Sequence, residues 1–476
     1  MMKTFKTMAV MAALLFIGAN ANAQELKTAT FLDNYLYGYR LNPSFVPSGT
    51  SGFVGIGTGN ILLRPETNFG LSSFLFPLAD GSLVTGLNSA VPASDFPGGL
   101  EEMNTERAIL NYNLLSIGAL GGKGGYGHFE INLVEDQELG IPRTLFEALK
   151  CKNTTGSYNV ENLYMKSATY LEIAFGRSKR NRNLSVGWSL KGLVGLASMD
   201  ASLDMEINTA GNNMWIRSQG TMQAAAAPVS IGLDSDGYYD LKQLGLNTSS
   251  LMPAGLGVAV DLGLSYYLWR DRVILSAAVR NLGGMKWTTN IYGQSSGNQI
   301  YLNMNDEDKL TEGLKESVKF KPVNGDEGGS FEMLPFSYNV AARIKPVNFI
   351  TLGVVGTMYN VDGITTKDIR LGAAFTPFRQ LNVAGSYSIG EAGNEIGVAA
   401  SLRILGINVF AGVDAIQYRV TPQYIPLDPV NTTVNAGVAI AFGKSAPASA
   451  KDKKAAAKDK KEKKEKKQSS SKKKSK

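Results

Sequence analysis

Residues Ala254–Trp287 read AGLGVAVDLGLSYYLWRDRVILSAAVRNLGGMKW, and their first half alternates strictly. Leu256, Val258, Val260, Leu262, Leu264, Tyr266 and Leu268 are apolar, with Gly257, Ala259, Asp261, Gly263, Ser265 and Tyr267 between them. A period of two marks a half-buried β-strand. A carboxylate in the middle of such a run is costly in a dry core. It belongs where one side of a strand meets lipid and the other faces a polar interior.

The same pattern recurs. Leu184, Val186, Trp188, Leu190, Val194 and Leu196 oppose Ser185, Gly187, Ser189 and Lys191. Phe129, Ile131 and Leu133 oppose His128, Glu130 and Asn132; Leu171, Ile173 and Phe175 oppose Tyr170 and Glu172. Near the end, Val434, Ala436, Val438, Ile440 and Phe442 alternate with Thr433, Asn435, Gly437, Ala439 and Ala441. After the first residues there is no apolar run of 18 or more, the length that would suggest a membrane helix.

The connections alternate in length. Short turns are expected at Trp269–Arg272, Lys345–Asn348, Thr376–Gln380 and Leu405–Gly406, a moderate link at Gly390–Glu395, a longer one at Asn360–Lys367, and long links at Met285–Leu334 and Gln417–Asn431. Short turns at one end and long loops at the other are the habit of a transmembrane antiparallel β-barrel. A secreted β-sandwich or propeller also alternates, but has no reason to keep that asymmetry. Sixteen candidate strands begin between Asn68 and Thr432. The pair within Ala201–Ala226 reads equally as a hairpin extension, and setting it aside leaves about fourteen. Phe53–Leu63 is either a further strand or part of a plug. Tyr266, Tyr267 and Trp269, at a strand end, are expected in an interfacial aromatic girdle.

The ends of the chain differ from this body. Residues 1–23 read as a signal peptide: Lys3 and Lys6, the apolar Met8–Ile17, then Ala21-Asn22-Ala23 before the expected cut. The single Cys151 permits no internal disulfide. From Lys444 onward, 15 Lys face two Asp and two Glu, a net of +11. The chain carries +7 and the leader +2, so the body between is at −6. Residues 444–476 are expected to be a disordered Lys-rich tail, too charged to bury a core. Expected organisation is therefore a signal peptide over 1–23, an N-terminal plug or periplasmic segment over 24–51, a barrel over 52–443, and the tail. The expected address is the bacterial outer membrane, with the tail periplasmic. Expected partners are outer-membrane lipid and, through the tail, lipopolysaccharide, a cell-wall polymer or envelope proteins; nucleic acid is excluded by the leader.

Several stretches carry a resemblance. LNPSFVPS (Leu41–Ser48) is similar to the Asn-Pro-small/aromatic segment near the mature start of Bacteroidota outer-membrane barrels. YLEIAFGRSKR with LSVGWSLKGLVGLASMD, and GLGVAVDLGLSYYL with ILSAAVRNLGGMKW and its Asn281–Gly283, resemble hairpins of an uncharacterised family in that group. MLPFSYNVAARIKP and IRLGAAFTPF look like hairpins of type IX secretion barrels and of long-chain fatty-acid transporter-type barrels. The resemblance implies a fourteen-stranded barrel in the outer membrane and no settled activity. The basic tail is outside that pattern.

Chemistry has little to stand on. His128 is the one histidine, and no Gly-x-Ser-x-Gly, His-Glu-x-x-His or Walker loop is present. Gly55, Gly57 and Gly59 lack the dinucleotide spacing and read as strand glycines. Asp234, Asp236 and Asp240, or Asn305, Asp306, Glu307 and Asp308, could offer carboxylates to Ca²⁺; solvated loops are the preferred reading. No catalytic, cofactor or metal residue is assigned. The lumen-facing candidates are His128, Glu130, Glu172, Lys191, Asp261 and Arg280, pairing across the interior or lining a pore. The expected function is non-enzymatic passage or capture of a small ligand, hydrophobic ones included. The alternative is a structural or assembly partner in an envelope or type IX-like secretion complex. An envelope hydrolase centred on His128 is the third. Asp261→Asn is expected to be tolerated better than Val258→Arg.

Overall fold

The computed structural model describes residues 25–443 apart from 48–49, 122–124, 151–154, 227–228, 247–251, 289, 296, 298, 304–306, 325–328, 362, 379, 392 and 417–426. The leader, Cys151 and the Lys-rich tail lie outside the described residues.

Fourteen antiparallel strands close into a barrel. The first, β1, is broken into Gly52–Ile56 and Ile61–Thr67. Then follow β2 (Met103–Leu120), β3 (Gly125–Pro142), β4 (Gly156–Asn181), β5 (Leu184–Ala210), β6 (Gly255–Leu268) and β7 (Val273–Trp287). The other half is β8 (Phe336–Val347), β9 (Ile350–Val361), β10 (Ile364–Phe378), β11 (Leu381–Gly390), β12 (Glu395–Ile404), β13 (Ile407–Ile416) and β14 (Thr432–Phe442). Both pieces of β1 pair with β2 on one side and β14 on the other, which closes the cylinder. Asn68, expected to begin a strand, instead follows β1 and leads into a long excursion, while Phe53–Leu63 covers the two strand pieces of β1 and the break between them; the longer loop expected at Asn360–Lys367 is a tight turn between Val361 and Ile364, since both strands continue past the expected ends.

The alternation now has its cause. On β6, Val258 is 65% exposed and Asp261 3%. Leu256, Leu262, Leu264 and Tyr266 face outward; Ala259, Gly263 and Ser265 face inward. The same split holds on β5 and β14, where Trp188, Leu190, Val438 and Ile440 are exposed while Ser189, Lys191, Asn435 and Ala439 are buried. An apolar outer wall around a polar interior, on strands that leave no sheet edge open, is a structure for a lipid bilayer. Tyr266 and Trp269 stand on the outer rim, at 43% and 74% exposure. Tyr267 does not join them: its parity turns it inward, beneath the Arg180 guanidinium at 3.8 Å from the ring centre.

β4 and β5 are 26 and 27 residues long, far beyond the roughly 9–11 that cross a membrane. Their excess stands beyond the apolar band. A bulge at Leu196, between the pairs Tyr170↔Gly195 and Thr169↔Ala197, shifts the outward positions of β5 from even to odd numbers. Past it, Leu203, Met205 and Ile207 are buried. They pack with Ala148 and Leu149 of the helix Arg143–Lys150 and with Leu314 of the helix Glu307–Ser317. The pair within Ala201–Ala226 is thus a hairpin extension: Asn213–Ala226 pairs with the upper half of β5 and takes no place in the barrel.

Val258→Arg should put a charge on the lipid side and cost roughly 2–4 kcal/mol if the site is near mid-membrane, while Val258→Phe should be nearly neutral. Urea unfolding from bilayers measures both, and equal stabilities would contradict the assigned outer face.

Candidate functional site

The interior is occupied by residues 25–47. The turn Asn42-Pro43-Ser44 fixes how they enter. Asn42 Oδ1 accepts the Ser44 N–H at 2.9 Å and its Oγ–H at 2.7 Å, a side-chain-capped turn. Asn42 Nδ2 donates to the Ala277 carbonyl at 3.1 Å. Ser44 Oγ lies 2.5 Å from Ser265 Oγ, and Ser185 Oγ donates to the Ser44 carbonyl at 2.8 Å. A Cβ on Gly187 would collide with the Pro43 carbonyl, and one on Gly263 with Asn42. The small residues on the inner sides of β5 and β6 are therefore the seat of this turn.

All six lumen candidates fall in one buried network spanning β3 to β7, each less than 10% exposed. Glu130 accepts from the Tyr39 hydroxyl and from Arg40 Nε at 3.0 Å. Arg40 Nη2 also donates to Asn132 at 2.7 Å, and Asn132 Nδ2 to Glu172 at 3.1 Å. Lys191 Nζ bridges Asp261 at 3.0 Å and Glu172 at 3.4 Å. Arg280 reaches Glu25 at 3.9 Å. His128 stacks on Tyr39, centroids 4.1 Å apart, with Nε2 3.2 Å from Ser189 Oγ. Among the described residues its Nδ1 meets no hydrogen-bond partner.

Asp261 has a second task. Register slips between Val260 and Leu262, where Arg280 and Asn281 together oppose it, with Asn281 at φ 56°. The Asp261 carboxylate accepts the Asn281 N–H at 2.6 Å. A backbone donor freed by the bulge is thereby satisfied inside the membrane, and Lys191 holds the Asn281 side chain at 2.5 Å. The two roles of Asp261 overturn the expectation that Asp261→Asn is mild. The change removes a carboxylate from a buried ammonium, a loss on the order of 3 kcal/mol, comparable with Val258→Arg.

Glu25, Tyr39 and Arg40 went unrecognised as members of the network. Their signal is Tyr35, Tyr37 and Tyr39 alternating toward a lone Arg40, but nothing local says that Glu130 is its partner. A second cluster was also missed. Arg370, fully buried, pairs with Glu395 and with Asp414 at 3.0 Å; Thr28 donates to Asp414, and Lys27 meets Asp368 at 2.6 Å.

The wall that carries the second cluster is mixed, with Arg343, Asn382, Asn408 and Asn435 also buried on it. From β8 to β14 its inward positions include Ala341, Ala374, Ala384, Ala399 and Ala439, with Phe410 among them. Phe31, Tyr35 and Tyr37 pack on these apolar positions, Tyr35 meeting Phe410 edge-on at 5.0 Å. Among the described residues, cavities of about 30 and 20 Å³ lie beside Glu25 and Arg280, each with room for about one water.

At the loop end, Asp234 does not reach toward a cation site. It accepts the Tyr238 and Asp236 N–H groups at 2.9 and 3.0 Å and the Lys319 ammonium at 3.0 Å. The Tyr238 N–H, then Lys319, hold its carboxyl below the usual range. Among the described residues no group of three His, Cys, Asp or Glu is placed to hold a metal ion.

Arg40→Ala should leave Glu130 buried without its cation, costing about 3–5 kcal/mol. The barrel should stay closed while residues 25–47 loosen. Limited trypsin digestion reads this as new cleavage at Lys27, with the heat-resistant barrel band unchanged. No new cleavage would mean that the segment is held elsewhere.

No curated protein sequence matches this chain. Among solved structures, it is similar to the toluene transporter TodX of P. putida at 12% identity and TM-score 0.41, over 91% of this chain and 96% of that one. It is also similar to a FadL homologue of Pseudomonas aeruginosa at 9% identity and TM-score 0.40, over 90% and 99%. The translocator domain of the autotransporter NalP from Neisseria meningitidis follows at 8% and TM-score 0.28, over 81% and 89%. One sequence family matches residues 43–414, from Pro43 of the docked turn to Asp414 of the Arg370 cluster. The chain belongs to the family of unknown function DUF5723.

Proposed function

We propose that the protein is a non-enzymatic outer-membrane barrel that passes or captures a small hydrophobic molecule along the apolar patches of its inner wall. One observation carries this reading: between its ion pairs the lumen holds patches of purely apolar contact. Residues 25–47 are tied by charge and hydrogen bonds to β3–β7 and to Asp368 and Asp414 on β10 and β13, yet between these ties they rest on alanines and aromatic rings of β8–β14. Contacts of the second kind have little geometric specificity, and an apolar ligand can replace them when the segment shifts. The ion pairs would keep the segment oriented during that exchange. The outer membrane is the natural host for a closed barrel with short turns at one end, and the Lys-rich tail then leaves from the periplasmic turn end.

The test is uptake of a fluorescent fatty acid by liposomes containing the full chain. Saturable uptake is expected, and Ala399→Asp, which puts a carboxylate into an apolar patch, should reduce it with the barrel still folded. A sealed barrel that neither binds nor passes the probe would overturn the proposal.

A second reading, a partner in an envelope assembly, is favoured by the covered loop end, where the helices Arg143–Lys150 and Glu307–Ser317 build a core on the outward side of β5. Crosslinking and co-purification with and without residues 444–476 separates the two. A partner lost only with the tail supports assembly through the tail.

A further inference from the structure

At the turn end the outer wall changes sign in one sector. Ile173 and Phe175 face lipid on β4, and the next two positions of the same parity are Arg177 and Lys179, both exposed. Arg177 sits opposite Trp188 in the ladder, at the border of the apolar band. Arg182, in the turn to β5, and Arg270 and Arg272, in the turn between β6 and β7, are exposed beside them. These turns are neighbours: Tyr267 N–H donates to the Asn183 carbonyl at 2.7 Å, and Arg180 pairs with Asp271 at 2.8 Å. Five exposed cations thus share one patch, where the acid of the turns, Asp271, is already engaged.

The geometry points to a binding site for the phosphate-bearing headgroups of anionic phospholipid, on the rim of β4–β7 in the leaflet nearer the turns. Three features select this occupant. The patch continues directly from the lipid-facing stripe, so whatever covers Ile173 and Phe175 with acyl chains presents its headgroup to Arg177 and Lys179. Trp269, 74% exposed beside Arg270, marks the interfacial depth at which aromatic side chains settle. The patch has an excess of positive charge on a body that is otherwise acidic, so it complements an anionic surface. A soluble polyanion would meet the charge but not the apolar stripe below it. The inference stands apart from the ligand-passage reading, since it concerns the outside of the barrel.

The experiment is native mass spectrometry of the full chain from micelles holding equal phosphatidylglycerol and phosphatidylcholine. The wild-type chain should retain phosphatidylglycerol selectively, and the preference should fall as salt is raised and the screening length shrinks. R177Q/K179Q/R182Q/R270Q/R272Q should lose it, about fivefold for each cation neutralised. The milder turn variant R182Q/R270Q should lose part of it, with heat-modifiable gel migration confirming a folded barrel for each. Deletion of residues 444–476 should leave it unchanged. Equal retention of the two lipids, a preference surviving in the folded variants, loss on removing the tail alone, or displacement by equimolar inorganic phosphate would each overturn the site.

Discussion

Every backbone N–H and C=O in the apolar band must find a partner within the protein, because lipid offers none. Closure of the ladder meets that demand, and the break in β1 shows how strictly. Between its two pieces, residues 57–60 leave the regular strand, yet Gly57 N–H still reaches the Leu114 carbonyl at 2.9 Å, the Asn60 carbonyl accepts from Asn113 at 2.9 Å, and the Thr58 carbonyl accepts from Val438 at 2.7 Å. The break keeps bonds to both neighbouring strands. It also brings Gly55 and Gly59 so close to the Tyr37 hydroxyl that neither could carry a Cβ without displacing it. The bulge on β7 obeys the same demand by another route, with Asp261 taking the N–H that the ladder drops.

A polar interior sealed from bulk water creates the next problem. Buried charges need partners, and breaking such a pair is costlier than never having built it. The barrel wall supplies Glu130, Glu172 and Asp261 against Lys191 and Arg280, and the segment running through the lumen adds Glu25 and Arg40. The wall and the segment therefore complete one another electrostatically. The same logic repeats around Arg370, where Thr28 shares Asp414 with the guanidinium. Specificity of position, more than net stability, is what such pairs contribute, and two clusters far apart on the barrel wall fix the segment in both rotation and height.

Much of this was legible in the sequence, for physical reasons. Alternation survives because every barrel residue has one of two neighbours, lipid or interior, and Leu256 to Leu268 records that choice residue by residue. Turn lengths were legible because antiparallel neighbours need only two residues to connect, as at Leu405 and Gly406. Bulges were not. Leu196 reverses the parity of β5, so Asp204 and Glu206 look like interruptions of the strand when they are its solvated inner side. Partners across the lumen were not legible either: Arg40 and Glu130 are 90 residues apart, and only the coiling of the barrel brings them together. Asn68 reads as a strand start because the true first strand is interrupted by glycines and short on contrast.

The bulge at Leu196 also explains how one strand serves two environments. Its outward stripe stays apolar throughout, from Leu184 to Leu190 and, on shifted parity, from Met199 to Ile207. Lipid covers the first part; two helices and their loops cover the second. The inward stripe is mainly polar, Leu193 apart, buried against the lumen segment below and open to water above. A single binary pattern therefore yields opposite burial at its two ends, because what changes along the strand is the surrounding medium. The apolar stripe outlasts the membrane, so the chain must bring its own cover beyond it. That requirement accounts for helical loops on a fold that needs none to close, and for their gathering where β4 and β5 rise highest.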